Sequence, residues 1–394
     1  VNDLSAVVLA AGEGRRLRPL TTHRPKPMLP AATKPILEHV LDTLVDAGIT
    51  DITIVVGYGR TRVQSHFGPT YRNVPLRYSR QEIQLGSGHA LLAAESDLEG
   101  SLLVVNGDQL IDDRIVTDVI DAHDDGAAAT LGLIQRSAVE GYGGVILEGD
   151  QVTELVERPG DERDYRLNAG VYAFEPDVFE AIRTAEPRAG EHSLVDGITE
   201  LIASGREVRG VVSEGLWVDA TYPWDLLDVS FQLLDSAPED GGVASSVDER
   251  ATVHESAVIR EPVVIDADCE VGPGAVVGPY TCLGENVTVG SNAVVERSVV
   301  DADTRIGQQA TLLECVTGVG VEVGAATAVP GGPGDVRVGD RVFEAERLGA
   351  LLADHVRDNG GVTYVPGTVV GSNSVIGAGA TVRGTLSEKT EVHH

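Results

Sequence analysis

Between residues 12 and 34 the chain carries Arg15, Arg16, Arg18, Arg24, Lys26 and Lys34 against one acid, Glu13, which is a local net charge of +5 in a protein of net charge −31. Six cations gathered against such a background call for an anion, and Gly12 and Gly14 offer backbone amides that one can approach closely. Phosphate fits both kinds of donor. The chain has three lysines, Lys26, Lys34 and Lys389, and two of them fall in this segment. A lysine kept where arginine is otherwise used marks a place for a compact point charge rather than a planar fork. The dinucleotide fingerprint GxGxxG is excluded, because it needs glycine where Leu17 stands.

The elements around this segment must hold it in place. AVVLAA at 6–11 has the unbroken apolar run of a buried strand, and ITIVV at 52–56 and LLVVNGD at 102–108 repeat the pattern. From Lys34, with Pro35 in a first helical turn, Ile36, Leu37, Val40, Leu41, Leu44 and Val45 recur with helical period until Gly48. HALLAAES predicts a helix after Gly86 and Gly88, and WDLLDVSFQLL at 224–234 predicts another. Strands alternating with helices predict a Rossmann-like α/β domain with a mixed, mostly parallel sheet. Ligands of such sheets bind beyond the carboxyl ends of the strands, where GEGRR and Asp108 fall.

After residue 235 the period changes. SAPEDGGVASS is polar, small and turn-rich, and beyond it a step of six picks out Val253, Ile259, Ile265, Val271, Val277, Leu283, Val289 and Val295. Four residues after each stands a small or β-branched residue, from Ala257 to Val299. The register slips by one, resumes at Val300, Ile306 and Leu312, and returns at Leu352, Val370, Ile376 and Val382. Three hexapeptides make one triangular coil of a left-handed parallel β-helix, each coil burying its apolar face on the next. The expected organisation is a domain at 1–235, a linker at 236–251 and a β-helix at 252–394.

Acidic residues outnumber basic ones 61 to 30 without one long acidic run, so the charge is spread over a folded surface. That surface, with the scarcity of lysine, is the composition of a halophile's protein. Cys269, Cys282 and Cys315 lack metal-binding spacing and are expected to be packing residues. No apolar stretch approaches a membrane span, and no basic stripe offers a nucleic-acid surface, so a soluble, cytoplasmic protein is expected without membrane or nucleic-acid partners. The aspartates at 112, 113, 118, 121, 124 and 125 are expected on a solvated face without chemistry.

LAAGEGRRLRPLTTHRPKPMLP resembles the signature of the sugar-phosphate nucleotidyltransferases, the family of glucose-1-phosphate thymidylyltransferase and N-acetylglucosamine-1-phosphate uridylyltransferase. The resemblance continues in order through KPILEHVLDTLVDAGI, QLGSGHA, NGDQL, GYGGV, VERP, LNAGVYAF and WVDATYPWDLL. It implies that Ala10 and Ala11 belong to the nucleotide-binding set and that Gly12, Gly14 and Arg16 hold the nucleotide's phosphates while Lys26 spans the reacting groups. Gln81, Gly86 and Ser87 match the segment that recognises a pyrimidine base, and Gly143, Glu157 and Asn168 match the sugar-phosphate side. Asp108 and Asp219 match the acidic ligands of Mg²⁺, with Arg16, Lys26 and Asp108 as the catalytic set. Arg158 stands where many relatives have lysine.

The chemistry implied is attack by a sugar 1-phosphate oxygen on the α-phosphorus of UTP or dTTP, giving a nucleotide sugar and pyrophosphate. Two polyanions meet only if cations offset their repulsion, and no general base is needed because the attacking oxygen is already ionised. Bifunctional relatives carry glucosamine-1-phosphate acetyltransferase chemistry on the β-helix. Here the corresponding stretch, LLECVTGVGVEVGAAT at 312–327, lacks histidine, tyrosine and lysine, so the helix reads first as an oligomerisation or regulatory element, a trimer by analogy. A non-catalytic subunit that senses nucleotide sugars is the alternative of another class, and Arg16, Lys26, Asp108 and Asp219 standing together argue against it.

Overall fold

The computed structural model describes residues 4–123, 126–136, 139, 141–187, 190–237 and 241–393. The chain divides into two compact units. One holds the residues up to Glu13, with Arg24–Met28 and Ile36–Val218; the other holds Gly14–His23, Leu29–Pro35 and the chain from Asp219 onward.

The first unit is built on a ten-stranded sheet. Its labelled strands are β1 (Ser5–Ala10), β2 (Ile52–Val56), β3 (Val74–Arg80), β4 (Leu102–Asn106), β5 (Ala129–Ile134), β6 (Gly143–Glu148), β7 (Gln151–Glu157), β8 (Arg166–Phe174) and β9 (Val208–Ser213). They lie in the order β6-β7-β9-β5-β8-β4-β1-β2-β3, with the short strand Thr70–Tyr71 at the edge, and β6 also pairs with β8. Strands β4, β1, β2 and β3 are mutually parallel, whereas β8 runs antiparallel to both β4 and β5, so the sheet is mixed.

Burial follows position in the sheet. β2 is buried throughout because both its faces are covered, while β3 alternates buried Val74 and Leu76 with exposed residues. Helices α1 (Ile36–Asp46), α2 (Arg60–Phe67), α3 (Ser87–Leu92), α4 (Asp113–Ala122), α5 (Asp177–Thr184) and α6 (Leu194–Ala203) flank it. One face buries Val8, Ile54 and Leu103 with Leu37, Leu41 and Ile115, and the other buries Val7, Val55 and Val104 with Leu91, Leu131 and Ile198. This is the period-two alternation of a strand carrying two cores.

Two expectations change in detail. Lys34–Pro35 is not the start of a helix but a two-residue strand antiparallel to Pro30–Ala31, and α1 begins at Ile36. The residue before a proline is pushed from helical to extended backbone, which favours this outcome. Asp112 is not solvated: it is 2% exposed and caps α4 by accepting from the Arg114 and Ile115 amides. Asp113 and Asp121 are exposed and Asp118 half-buried; Asp124 and Asp125 lie outside the described residues.

In the second unit the hexapeptide step becomes three all-parallel sheets of eight, eight and seven strands, a left-handed parallel β-helix. Val271, Val277, Leu283, Val289 and Val295 all point inward with Cys269, Ala275, Val287 and Ala293. The register slip is a shortened coil: Val264 pairs with Cys282, 18 positions on, but Cys282 pairs with Val299, 17 on. Later Cys315 pairs with Ala350, a step of 35, because a hairpin of Gly334–Val338 and Arg341–Glu346 is inserted into one coil.

The outward faces of the β-helix differ. The first sheet presents Val264, Cys282, Val299, Val316, Leu351 and Val369, all buried, and helix α7 (Asp225–Asp235) and the hairpin pack on it. The second presents charges such as Glu270, Arg305, Glu322 and Arg357. The third presents Val258, Val276, Val294, Thr311, Ala328, Thr363 and Thr381, none of them charged. Among the described residues no helix is long and apolar enough to cross a membrane.

Candidate active site

The register of the central strands sets the site. Leu9 of β1 stands beside Asn106 of β4, and the Gly107 amide donates to the Leu9 carbonyl at 3.0 Å. A Cβ at Gly107 would lie 2.9 Å from Val8 Cγ1 and 3.1 Å from Ala10 Cβ, so only glycine lets the turn close against β1. Asp108 follows at once. Ala10 and Ala11 are buried where β1 ends, and at Gly12 an added Cβ would meet nothing within 4 Å. The fold does not require that glycine, and a ligand lying on the backbone there would.

Lys26 begins a single 3₁₀ turn, Lys26–Met28, and its Nζ lies 3.1 Å from Asp108 Oδ2. The lysine side chain is 10% exposed and the aspartate 39%. A nearly buried ammonium is stable only with an anion beside it, whereas the half-open carboxylate remains reachable by a further ligand. Behind this turn Asn106 Nδ2 donates to Gln109 Oε1 at 3.2 Å. Gly170 of β8 has φ 72°, and a Cβ there would come within 2.4 Å of both side chains, so the glycine makes room for the pair that braces the turn.

In the second unit Gly14 adopts φ 66°, ψ 44° and opens the 3₁₀ turn Arg15–Leu17. Thr21 donates its hydroxyl to the Gly14 carbonyl at 2.8 Å, and Leu17 is buried while Arg15, Arg16 and Arg18 remain exposed. Asp219 accepts from the Thr221 hydroxyl at 2.7 Å, and Asp225 accepts from the Thr221 and Tyr222 amides at 2.8 and 2.7 Å. Burial, with the neighbouring charges of Asp219 and Asp228, pushes the Asp225 carboxyl up to about 6. Tyr222 stacks on Trp224 at 4.9 Å, Phe343 of the inserted hairpin packs on both at 4.7 and 5.1 Å, and Arg341 lies over Phe343 at 4.4 Å. An aromatic stack thus braces the segment that follows Asp219.

Gln81, Gly86 and Ser87 meet in one loop. Gln81 is 4% exposed, and its Nε2 lies 3.0 Å from the Gly86 carbonyl and 3.1 Å from His89 Nδ1. Gly86 has φ 99°, and a Cβ there would stand 2.5 Å from the His192 carbonyl. Ser87 Oγ accepts from the Leu194 amide at 2.9 Å. Gly143, Glu157 and Asn168 are also brought together: Gly143 pairs with Glu157 across β6 and β7, and a Cβ on Gly143 would lie 3.3 Å from Asn168 Cβ. Asn168 is held between the Tyr172 hydroxyl, 2.9 Å from its Nδ2, and the Gly170 amide, 3.2 Å from its Oδ1.

Residues 5–236 match the model of the nucleotidyl transferase family. The chain belongs to that family. Residues 259–359 match a second model, the GMPPB C-terminal domain. The chain is 36% identical to "Bifunctional protein GlmU" of Methanococcus maripaludis strain C7, over 99% of this chain and 97% of that protein. It is 32% identical to the protein of the same name from Methanocaldococcus jannaschii over the same shares. The UTP–glucose-1-phosphate uridylyltransferase AglF of Haloferax volcanii is 35% identical over 56% of this chain and 93% of its own length.

For a nucleotidyl transferase the donor set decides which ion suits the site. Asp108 offers carboxylate oxygens, and among the described residues no group of three or more His, Cys, Asp and Glu gathers as a metal cage. One or two carboxylates, completed by water and substrate phosphates, is how Mg²⁺ is held, whereas structural zinc and calcium need fuller protein shells. The residues present therefore fit Mg²⁺. Sequence reasoning missed His89, the Asn106–Gln109 brace and Phe343. The adjacent motifs QLGSGHA, NGDQL and LNAG contain the first two, but Phe343 lies in an insertion that the hexapeptide period leaves blank.

Proposed function

We propose that this chain is a sugar-1-phosphate nucleotidyltransferase that joins UTP or dTTP to a hexose 1-phosphate, using Mg²⁺, and releases pyrophosphate. The observation that carries the reading is the nearly buried Lys26 ammonium 3.1 Å from Asp108, together with Gly12, a glycine that the fold does not need. Similarity to the uridylyltransferase AglF over 93% of that protein's length supports the same chemistry.

Gly12 and Gly14 would leave backbone amides open to phosphate oxygens, and Lys26 and Arg16 would take up charge on the transferred and departing phosphates. Gln81, Gly86 and Ser87 would hold the base, and Gly143, Glu157 and Asn168 the sugar phosphate. Asp108 and Asp219 would each offer a carboxylate to Mg²⁺, which would supply charge neutralisation. A sugar-phosphate oxygen forms the new bond to the α-phosphorus as the bond to the β-phosphate's bridging oxygen breaks, and pyrophosphate leaves with that electron pair.

The test is pyrophosphate release in molar KCl with Mg²⁺, from a matrix of triphosphates against glucose, N-acetylglucosamine and glucosamine 1-phosphates. Binding without release across the matrix would favour a nucleotide-sugar-sensing subunit. Similarity across 97% of a protein named bifunctional supports a second reading, acetyl transfer to glucosamine 1-phosphate on the β-helix. Thiol release from acetyl-CoA decides it, and any activity above background would overturn a purely structural β-helix. The run of Val258, Val276, Val294, Thr311, Ala328, Thr363 and Thr381 along the third face supports homo-oligomerisation through the β-helix, which sedimentation at high salt would measure. The −31 charge supports a halophilic setting, proposed together with a cytoplasmic location, and the unfolding midpoint should rise with KCl.

A further inference from the structure

The amide of Gln81 can face its surroundings in only one way. Its nitrogen lies 3.0 Å from the backbone carbonyl of Gly86, which has no hydrogen to give, so the NH₂ end must point there. The same nitrogen lies 3.1 Å from His89 Nδ1. Facing a donor, that ring nitrogen has to accept, which places the neutral ring's proton on Nε2. His89 sits on α3 directly behind Gly86, and its own amide donates to the His192 carbonyl at 3.3 Å, so the ring is carried by a fixed turn. Both hydrogens of the Gln81 amide are therefore taken inside the protein.

We infer that His89 is a positioning residue that makes Gln81 an acceptor-only reader of the base, so that the site selects bases with a ring N–H on the pairing edge. The inference rests on the reading of Gln81 as a base-contacting residue. With Nε2 occupied twice, Gln81 shows a ligand only its Oε1. An acceptor matches the N3–H of uracil or thymine and the N1–H of guanine, and it opposes the lone pair at N3 of cytosine or N1 of adenine. Sites built on a buried hydrogen bond reject a ligand that leaves the bond unmade far better than apolar pockets do. Uracil and cytosine differ little in size, so selection between them isolates this effect.

The experiment compares wild type, His89→Leu and His89→Asn. Leucine removes the acceptor and frees one Gln81 hydrogen, whereas the asparagine side-chain oxygen can stand in for Nδ1. Calorimetric binding of UTP and CTP with Mg²⁺ gives the affinity ratio for each protein, thermal unfolding checks the fold, and pyrophosphate release with a hexose 1-phosphate is followed in parallel. Wild type should prefer UTP strongly, His89→Leu should lose at least about tenfold of that preference, and His89→Asn should recover most of it. A fall in both affinities that leaves their ratio unchanged, or an asparagine variant no more selective than leucine, overturns the inference. Selective UTP binding that depends on His89 without pyrophosphate release would keep the inference and overturn the enzyme. Wild type that binds neither nucleotide overturns both.

Discussion

Lys26→Met should weaken turnover and at the same time tighten divalent-ion binding by the nucleotide-free protein, and the opposite signs come from one ion pair. Nζ lies 3.1 Å from Asp108 Oδ2, with side-chain exposures of 10% and 39%. Coulomb attraction at that separation is about 1.3 kcal/mol at the dielectric constant of water and about 5 kcal/mol at an effective value of 20. Asp108 is more than a third exposed, so solvent screening places the pair toward the lower figure. A metal ion drawing on that carboxylate competes with the pair, and removing the ammonium should improve its affinity about tenfold, equivalent to about 1.4 kcal/mol. Turnover should move the other way, by about 10²–10³ in kcat, the usual effect of deleting one preorganised group that stabilises developing charge. Methionine keeps most of the side-chain volume, so folding stability should stay within about 1 kcal/mol of wild type. The assay is Mn²⁺ titration without nucleotide, following the free ion by electron paramagnetic resonance, beside pyrophosphate release with Mg²⁺. A variant that binds Mn²⁺ no tighter and keeps turnover within tenfold would refute the reasoning, because Lys26 would then be an incidental partner of Asp108.

Four further variants have outcomes set by the same geometry. Gly12→Ala should leave the thermal midpoint near wild type, since its Cβ meets nothing within 4 Å, yet raise KM for the triphosphate at least about tenfold; Gly86→Ala, at φ 99° and 2.5 Å from the His192 carbonyl, should lose about 3 kcal/mol by chemical denaturation. Phe343→Ala should destabilise the second unit by about 1.5–4 kcal/mol, the sum of two ring contacts and an arginine contact, and weaken Mn²⁺ binding if Asp219 is a ligand, read by calorimetry and the same titration. Asp225 titrates near 6 in the fold against 3.8 unfolded, so its favourable contribution is complete below about 3.8 and is lost as pH rises through about 6. Asp225→Asn keeps an acceptor for both amides, and in metal-free urea titrations at pH 5 and 8 it should flatten the wild type's loss of stability by about 1–1.5 kcal/mol, the part of the shift that remains above pH 5; an unchanged pH slope would count against it.

What the sequence disclosed depended on how local each cause was. β1, β2 and β4 were legible because a parallel strand covered on both faces must be apolar nearly throughout, as AVVLAA, ITIVV and LLVVN are apart from Thr53 and Asn106. The β-helix was legible because each inward residue meets its counterpart one coil on, which forces the same residue class every sixth position. The hairpin at 334–346 obeys neither rule. Its signal, Gly339-Asp340 between alternating segments, was present but overshadowed by the stronger period on either side. Asp112 shows the limit of charge counting: its sequence neighbours are acidic, and only the helix beginning at Asp113 reveals it as a cap. The site was legible as residue types but not as pairs. Lys26 and Asp108 are joined by the approach of two turns that no local pattern encodes, and the orientation of the Gln81 amide depends on a carbonyl and a ring that only the folded loop delivers. In a protein this acidic, sequence could show where cations were concentrated against the prevailing charge. Which anion each one answers is a property of distance, and only the 3.1 Å between Nζ and Oδ2 gives Lys26 its partner.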